Sequence, residues 1–149
     1  MGTMTVPASM KYLDQVMAEV EEVLMRAGCG EDDKRLIEIS VEELFTNIAS
    51  YAYDGREGQV WIWWDIREDE PGLREAAFGF KDQGMPYNPF ARKDPDLELP
   101  IEERPVGGLG IYMTKKFMDC VKYEFVNGMN VTEVRKKFQA VGKPEGPGD

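Results

Sequence analysis

One stretch decides how the fold of this chain is interpreted: Glu43-Leu-Phe-Thr-Asn47-Ile-Ala-Ser-Tyr51-Ala-Tyr53. It ends a segment, from Asp32 to about Tyr53, whose apolar residues recur at helical spacing. Glu43 and Asn47 are four residues apart, so they project from the same side of that helix. An amide oxygen can complete a Mg²⁺ shell, and a carboxylate can accept a proton from an attacking hydroxyl. Taken alone, such a pair is more often a polar stripe on a solvated helix.

A second polar motif, Asp82-Gln-Gly84, follows a predicted strand. The aromatic and β-branched run from Val60 to Ile66 predicts one strand, and Arg74 to Lys81 predicts its returning partner. A buried carboxylate at a strand end can accept a hydrogen bond from the amino group of adenine, and Gly84 would let the base approach the backbone. Taken alone, Asp-x-Gly is an ordinary turn.

A glycine-rich segment, Gly107-Gly-Leu-Gly110, opens a third predicted helix that runs from Leu109 to Met118. Backbone N–H groups at a helix start favour phosphate, and so does the helix dipole. The same pattern is also found in plain helix-entry loops. The sequence contains no Gly-x-x-x-x-Gly-Lys-Ser/Thr, which excludes a P-loop nucleotide site.

Composition narrows the function classes further. The chain has 149 residues and a mass of 17.0 kDa, which fits one domain. Its formal charge of −10 disfavours nucleic acid as a partner, and the complete lack of histidine excludes phosphohistidine chemistry and Ser-His pairs. We see no membrane-spanning run and no secretory signal, and Cys29 and Cys120 fit free thiols, so we expect a cytoplasmic protein.

In this order and spacing the three motifs resemble those of the histidine-kinase-like (GHKL or Bergerat) ATPases, and within them the anti-sigma-factor serine/threonine kinases. The resemblance extends from about Thr5 to Phe138. It includes Met85-Pro-Tyr-Asn-Pro89, which is similar to the Gly-x-Pro-Phe-Asp-Pro run of those kinases, and Gly108-Leu-Gly110-Ile111 with the helix after it.

The resemblance implies a fold and a domain division. We expect an α+β, two-layer sandwich with helices on one face of a mixed, mostly antiparallel sheet. Residues 1–141 would form the ATPase domain, and the polar, Gly/Pro-rich residues 142–149 a disordered tail. The aromatic run Trp61-Ile-Trp63-Trp64 would put Ile62 and Trp64 on the opposite face from the other two tryptophans, and its exposed side could serve a dimer interface.

The resemblance also implies roles for individual residues. Glu43 would be the catalytic base and Asn47 the Mg²⁺ ligand. The other residues expected to bind ATP are Asp82, Gly84, Gly107, Gly108, Leu109 and Gly110. Some related kinases place an Arg two residues before Gly-x-Gly, where this chain has Val106; the nearest candidate is Arg104, which is equally well interpreted as a solvated loop cation.

The function implied is that of a Mg-ATP-dependent protein serine/threonine kinase. It would phosphorylate a small anti-sigma-factor antagonist, could also bind a sigma factor, and would form a homodimer, with no nucleic acid or membrane as partner. One alternative is an ATP-binding switch without phosphate transfer, since Tyr51 stands where relatives often have His and Val106 replaces the Arg. A second is the ATPase domain of a sensor histidine kinase, against which the glycine-box sequence argues.

Overall fold

The computed structural model describes residues 1–91, 93–100, 102 and 108–141. Its strands are β1 (Gly2–Pro7), β2 (Gln59–Glu70), β3 (Leu73–Asp82), β4 (Cys120–Val126) and β5 (Met129–Gln139). Its α-helices are α1 (Leu13–Arg26), α2 (Glu31–Asn47) and α3 (Leu109–Phe117). The division at residue 141 stays a prediction, because residues 142–149 lie outside the described residues.

The strands form a single five-stranded sheet in the order β1-β2-β3-β5-β4. All four pairs of neighbouring strands that the structure describes are antiparallel. The expected sheet was mixed and mostly antiparallel, and the described strands contain no parallel pair. The hairpin between β4 and β5 turns at Asn127 and Gly128, whose φ angles of 54° and 76° are those of a two-residue hairpin turn. The expected α+β sandwich is confirmed.

The core lies between one face of the sheet and the helices. Alternate residues of β2 and β3 point into it, among them Ile62, Phe78 and Phe80, each 1% exposed or less. The helices supply apolar faces whose residues recur at helical spacing: Val16, Val20 and Leu24 from α1, and Ile37, Val41 and Leu44 from α2. Burial of these side chains, at roughly 1.5–3 kcal/mol each, holds the two layers together.

The second helix differs from its prediction at its carboxyl end. The α-helix ends at Asn47, and a π-helical turn continues the chain from Ile48 to Ala52. Asp54 and Gly55, with φ angles of 49° and 80°, then reverse the chain toward β2. Single π-turns are rare and occur frequently at functional sites.

The aromatic strand alternates as predicted. Ile62 and Trp64 lie in the core, and Trp61 and Trp63 are partly exposed on the sheet face that carries no helix. The ring of Trp63 covers Gly79 of β3, where a Cβ would lie 2.0 Å from the indole. Neither exposed tryptophan lines the cavity described below.

Two backbone hydrogen bonds fix the chain where it leaves β5. The Ala140 N–H donates to Gly72 O at 2.8 Å, and the Val141 N–H donates to Gly28 O at 2.8 Å. This end of the sheet is therefore tied to the loop between α1 and α2.

Candidate nucleotide-binding site

A cavity of about 200 Å³ opens between the end of α2 and the chain that follows β3. That volume is below the ~300–1,000 Å³ typical of pockets that enclose a whole drug-sized ligand, so it suits a nucleobase whose attached groups lie outside. One wall comes from α2 and the π-turn and the other from the loop after β3, with polar residues of β3 and β5 between them. The lining residues are Leu44, Asn47, Ile48, Tyr51, Ala52, Asp82, Met85, Pro86, Tyr87, Pro89, Asn130 and Thr132.

Asp82 is the one carboxylate that lines this cavity among the described residues, and it is 3% exposed. Its Oδ1 accepts two hydrogen bonds, one from the Gly84 N–H at 2.9 Å and one from Asn130 Nδ2 at 2.9 Å. These two donors fix the plane of the carboxylate. No described residue donates to Oδ2, which is therefore the acceptor that a ligand can use.

Gly84 is packed against the π-turn. A Cβ on Gly84 would lie 2.2 Å from Ala52 O, and that carbonyl also accepts the Met85 N–H at 3.0 Å. Glycine is thus needed here so that the loop after β3 can approach the backbone of the π-turn. Direct approach of a base to Gly84, as the sequence predicts, stays a prediction.

Tyr53 holds the same loop from the other side. Its hydroxyl donates to Gln59 O at 2.5 Å and accepts the Gln83 N–H at 2.8 Å, joining the end of the π-turn to β2 and to the first residue after β3. Burial raises the pKa of this phenol above its usual value. Gly58 leaves room for the ring, because a Cβ there would lie 2.2 Å from it.

Asn47 lines the cavity, and Glu43 stands one helical turn before it on the same side of α2. Glu43 does not line the cavity; its side chain lies against Gly110 at the start of α3. The helix α2 therefore connects the base-sized cavity to the glycine box. The structure thus places Asp82 and Asn47 together at the cavity, and Glu43 beside Gly110.

The glycine box forms the entry to α3. Gly108 is the N-cap residue in the left-handed region, with a φ of 88°, and its carbonyl accepts the Tyr112 N–H at 2.9 Å. Leu109 begins the helix and is 49% exposed. Gly107, Arg104 and Val106 lie outside the described residues.

A buried hydroxyl pair holds α3 against α2. Thr114 Oγ1 lies 3.0 Å from Ser40 Oγ and 2.8 Å from Gly110 O, and Ser40 Oγ donates to Leu36 O at 3.1 Å. Since Ser40 is one turn before Glu43, this contact sets the distance between Glu43 and the start of α3. It is the packing that fixes the glycine box relative to the proposed base.

The donor set suits a magnesium ion shared with a ligand. Within the described part of the chain, no group of three His, Cys, Asp or Glu side chains is placed to hold a metal ion. Asn47 offers one neutral oxygen beside the cavity. Mg²⁺ is commonly bound through one or two protein oxygens with waters and substrate phosphates, and Asn47 fits that arrangement.

Three polar residues of the site were missed by the sequence interpretation: Tyr53 and, on β5, Asn130 and Thr132. Asn130 and Thr132 are each 4% exposed and lie on the face of β5 that packs against the helices. A signal was present, because two polar residues occupy alternate positions of a strand whose remaining buried positions include Val134 and Phe138.

Comparison with known proteins agrees with this architecture. Residues 6–136 match the family described as histidine kinase-like ATPase domain, and the chain belongs to that family. A serine-protein kinase RsbW of Bacillus mycoides is 29% identical over 132 residues, covering 86% of this chain and 79% of the relative. The RsbW of Bacillus cereus and that of Bacillus thuringiensis are each 28% identical over the same extent.

None of the helices in the described part of the chain is both long and apolar enough to cross a membrane.

Proposed function

We propose that this protein binds Mg-ATP and phosphorylates a serine or threonine of a partner protein, as an anti-sigma-factor kinase does. The observation that carries the proposal is the unengaged Oδ2 of Asp82 at the base-sized cavity, with Asn47 on the facing helix. An adenine amino group donates to that oxygen. The phosphates then extend along α2 toward the start of α3, where N–H groups and the helix dipole favour negative charge.

The transfer step assigns Glu43 the role of base. Glu43 accepts the proton of the attacking hydroxyl of the partner protein. The oxygen of that hydroxyl forms a bond to the γ-phosphorus, and the bond from that phosphorus to the β,γ-bridging oxygen breaks. ADP leaves with the electron pair of the broken bond. Asn47 would hold a Mg²⁺ ion, which would supply positive charge to offset that of the phosphates.

The partner proposed is a small anti-sigma-factor antagonist, with a sigma factor as the alternative partner of the same protein. The support is the family match together with relatives named serine-protein kinase RsbW. We also propose a homodimer. Its support is the helix-free face of the sheet, where Trp61, Trp63 and Val131 form part of an apolar surface.

A second candidate function is an ATP-gated switch that changes partner affinity without transferring phosphate. One observation favours it: Tyr51 lines the cavity and is 71% exposed, at the position where relatives often carry a histidine. A phenol cannot reproduce the proton handling of an imidazole near neutral pH.

Nucleotide binding is tested first, by calorimetry with Asp82→Asn. Replacing one carboxylate oxygen by an amide removes a charged hydrogen bond worth about 1–3 kcal/mol, so ATP affinity should fall by about one to two decades. Asp69→Asn makes the same change on an exposed residue near the far end of β2 and should leave affinity unchanged. Equal ATP affinity in Asp82→Asn and the parent protein would remove Asp82 from this role.

Transfer is tested with γ-labelled ATP and candidate antagonist proteins. Glu43→Ala should keep Mg-ATP binding and lose labelling of the partner by ~10²–10⁴-fold, because a base acts in the transition state. Glu42→Ala, on the neighbouring exposed residue, is the control. If the parent protein binds both ATP and a partner yet labels no serine or threonine, the switch is the correct function.

A further inference from the structure

Asn130 and Asp82 form a buried side-chain pair across two neighbouring strands. The two residues are directly opposite in the antiparallel register of β3 and β5, at the end of the paired region that faces the cavity. Asn130 is 4% exposed and Asp82 3% exposed. Directly opposite residues have Cβ atoms about 4.5–5.5 Å apart, so the sheet itself sets the spacing of this pair.

Every hydrogen-bonding position of the Asn130 side chain is used. Its Nδ2 donates to Asp82 Oδ1 at 2.9 Å and to Met85 O at 2.9 Å. Its Oδ1 accepts the Tyr87 N–H at 3.1 Å and the Tyr123 hydroxyl. The amide orientation is unambiguous, because a flipped amide would point N–H groups at the Tyr87 N–H and its oxygen at two acceptors.

This saturation separates the role of Asn130 from that of a ligand-binding residue. An asparagine has two donor hydrogens and two acceptor lone pairs, and all four are engaged with protein atoms. Contact with a nucleotide would break one of these buried bonds. Asn130 therefore acts on the cavity through the groups that it holds, which are the carboxylate of Asp82 and the loop from Met85 to Tyr87.

We propose that Asn130 is the positioning residue that keeps Asp82 oriented as a hydrogen-bond acceptor, and that it thereby sets the preference of the cavity for adenine over guanine. This inference rests on the nucleotide-binding function proposed above. The Asn130 N–H and the Gly84 N–H engage Oδ1 and leave Oδ2 for the ligand. An acceptor at that place pairs with the amino group of adenine. Guanine has a carbonyl oxygen in place of that amino group, so two acceptors would face each other, which is unfavourable.

Asn130→Asp tests the proposal, because it replaces the donating amide with a second carboxyl beside Asp82. Two carboxyls in contact cannot both ionise freely, so one of them has a raised pKa. When the pair holds one proton, the new side chain can again donate to Asp82; when both are ionised, they repel each other. ADP affinity of this variant should therefore rise as the pH falls from about 8 to about 5.

Among the described residues, the other titratable groups around this pair and its cavity are phenols: Tyr51 and Tyr53 on the π-turn side, Tyr87 in the loop after β3, and Tyr123 on β4. A phenol in water titrates near about pH 10, outside the tested range. The pH dependence of the variant thus reports on the introduced carboxyl pair. An effect on folding alone would lower the melting temperature without giving ADP binding this pH profile.

The measurement is calorimetric titration with ADP and with GDP, without divalent metal, so that the Asn47 site does not contribute. For Asn130→Asp we expect at least about tenfold weaker ADP binding at pH 8, recovery toward pH 5, and a smaller ADP-to-GDP affinity ratio than in the parent protein. Asn127→Asp is the matched control: it makes the same change three residues away, in the exposed turn, where Asp tolerates the positive φ.

The possible outcomes separate this inference from the function on which it rests. If the parent protein binds neither ADP nor ATP, the proposed function fails. If it binds ADP and Asn130→Asp shows the same affinity, pH profile and ADP-to-GDP ratio, the role of Asn130 is refuted. If Asn130→Asp fails to fold, the variant Tyr123→Phe tests the proposal instead. This variant removes one hydrogen bond to Asn130 and keeps the aromatic ring. Unchanged ADP affinity and an unchanged ADP-to-GDP ratio in Tyr123→Phe would overturn the proposal.

Discussion

Glu43 and Gly110 are in such close contact that a Cβ on Gly110 would lie 2.6 Å from Glu43 Oε2 and 2.7 Å from Glu43 Cδ. The two residues come from α2 and α3, which are held together by the Ser40–Thr114 contact. Because Gly110 has no side chain, the carboxylate of Glu43 can lie directly against the start of α3.

Gly110→Ala should separate stability from phosphate transfer. Gly110 lies inside α3 without a positive φ, so alanine should keep or raise stability by up to about 1 kcal/mol through helix propensity. The added methyl displaces the Glu43 carboxylate, and partner labelling should fall at least about tenfold. Thermal melts and γ-labelled ATP assays measure the two effects.

The double variant Glu43→Ala/Gly110→Ala provides the control for this pair. If Gly110→Ala acts only through Glu43, adding it to Glu43→Ala should cause no further loss of transfer. Additive losses would mean that Gly110 contributes on its own, for example through the phosphate-binding backbone.

Asn47→Ala should weaken Mg-ATP far more than metal-free ATP, because its proposed ligand atom contacts only the ion. Asn47→Asp keeps an oxygen ligand at the same place and should retain the magnesium dependence. Calorimetry with and without Mg²⁺ measures both. Equal losses in the two conditions for Asn47→Ala would point to a disturbed helix end, where α2 passes into the π-turn.

Tyr53→Phe should lower both stability and ATP affinity, because its hydroxyl joins the π-turn to Gln59 and Gln83. Two lost hydrogen bonds at about 1 kcal/mol each correspond to a fall of roughly 4–8 °C in Tm for a domain of this size. Tyr51→Phe changes an exposed phenol nearby and should leave Tm unchanged. A variant Tyr53→Phe with unaltered Tm would show that the ring alone holds this junction.

The two cysteines should differ in reactivity toward thiol reagents. Cys29 is 6% exposed, and burial, followed by the charge of Asp33, raises its pKa to about 12. Cys120 is only partly buried. At about pH 8 Cys29 carries almost no reactive thiolate, so Cys120 should be alkylated first, and both should react equally in denaturant. Mass spectrometry of the labelled peptides distinguishes the two sites.

The raised pKa of Cys29 also predicts a loss of stability in alkali. The folded state holds this proton more tightly than the unfolded chain, so the contribution is fully present below the ordinary thiol pKa. It is lost as the pH rises toward about 12. Cys29→Ala should flatten this part of the dependence of unfolding free energy on pH.

The sequence was sufficient for those parts of the site that depend on local spacing. Glu43 and Asn47 share a side of one helix, and Asp82 ends a strand, so the helical and strand periods alone could place them. The resemblance that the order of the motifs carries then allowed the α+β fold to be predicted.

The residues that were missed depend on long-range pairing. Asn130 meets Asp82 only through the register between β3 and β5, and a slip of one residue would move it to the other face of the sheet. The π-turn was also missed, because Ile48 and Ala52 continue a helical apolar pattern, and the pattern does not distinguish α from π hydrogen bonding.

The backbone hydrogen bonds from Ala140 to Gly72 and from Val141 to Gly28 have a practical consequence for attaching labels or surfaces to the protein. Asn130 and Gln139 stand near opposite ends of β5, about 30 Å apart at the usual rise of an extended strand. A fluorophore or sensor surface joined to the chain beyond Val141 would therefore start at the end of the sheet away from the cavity at Asp82, and would leave that cavity open to the proposed nucleotide.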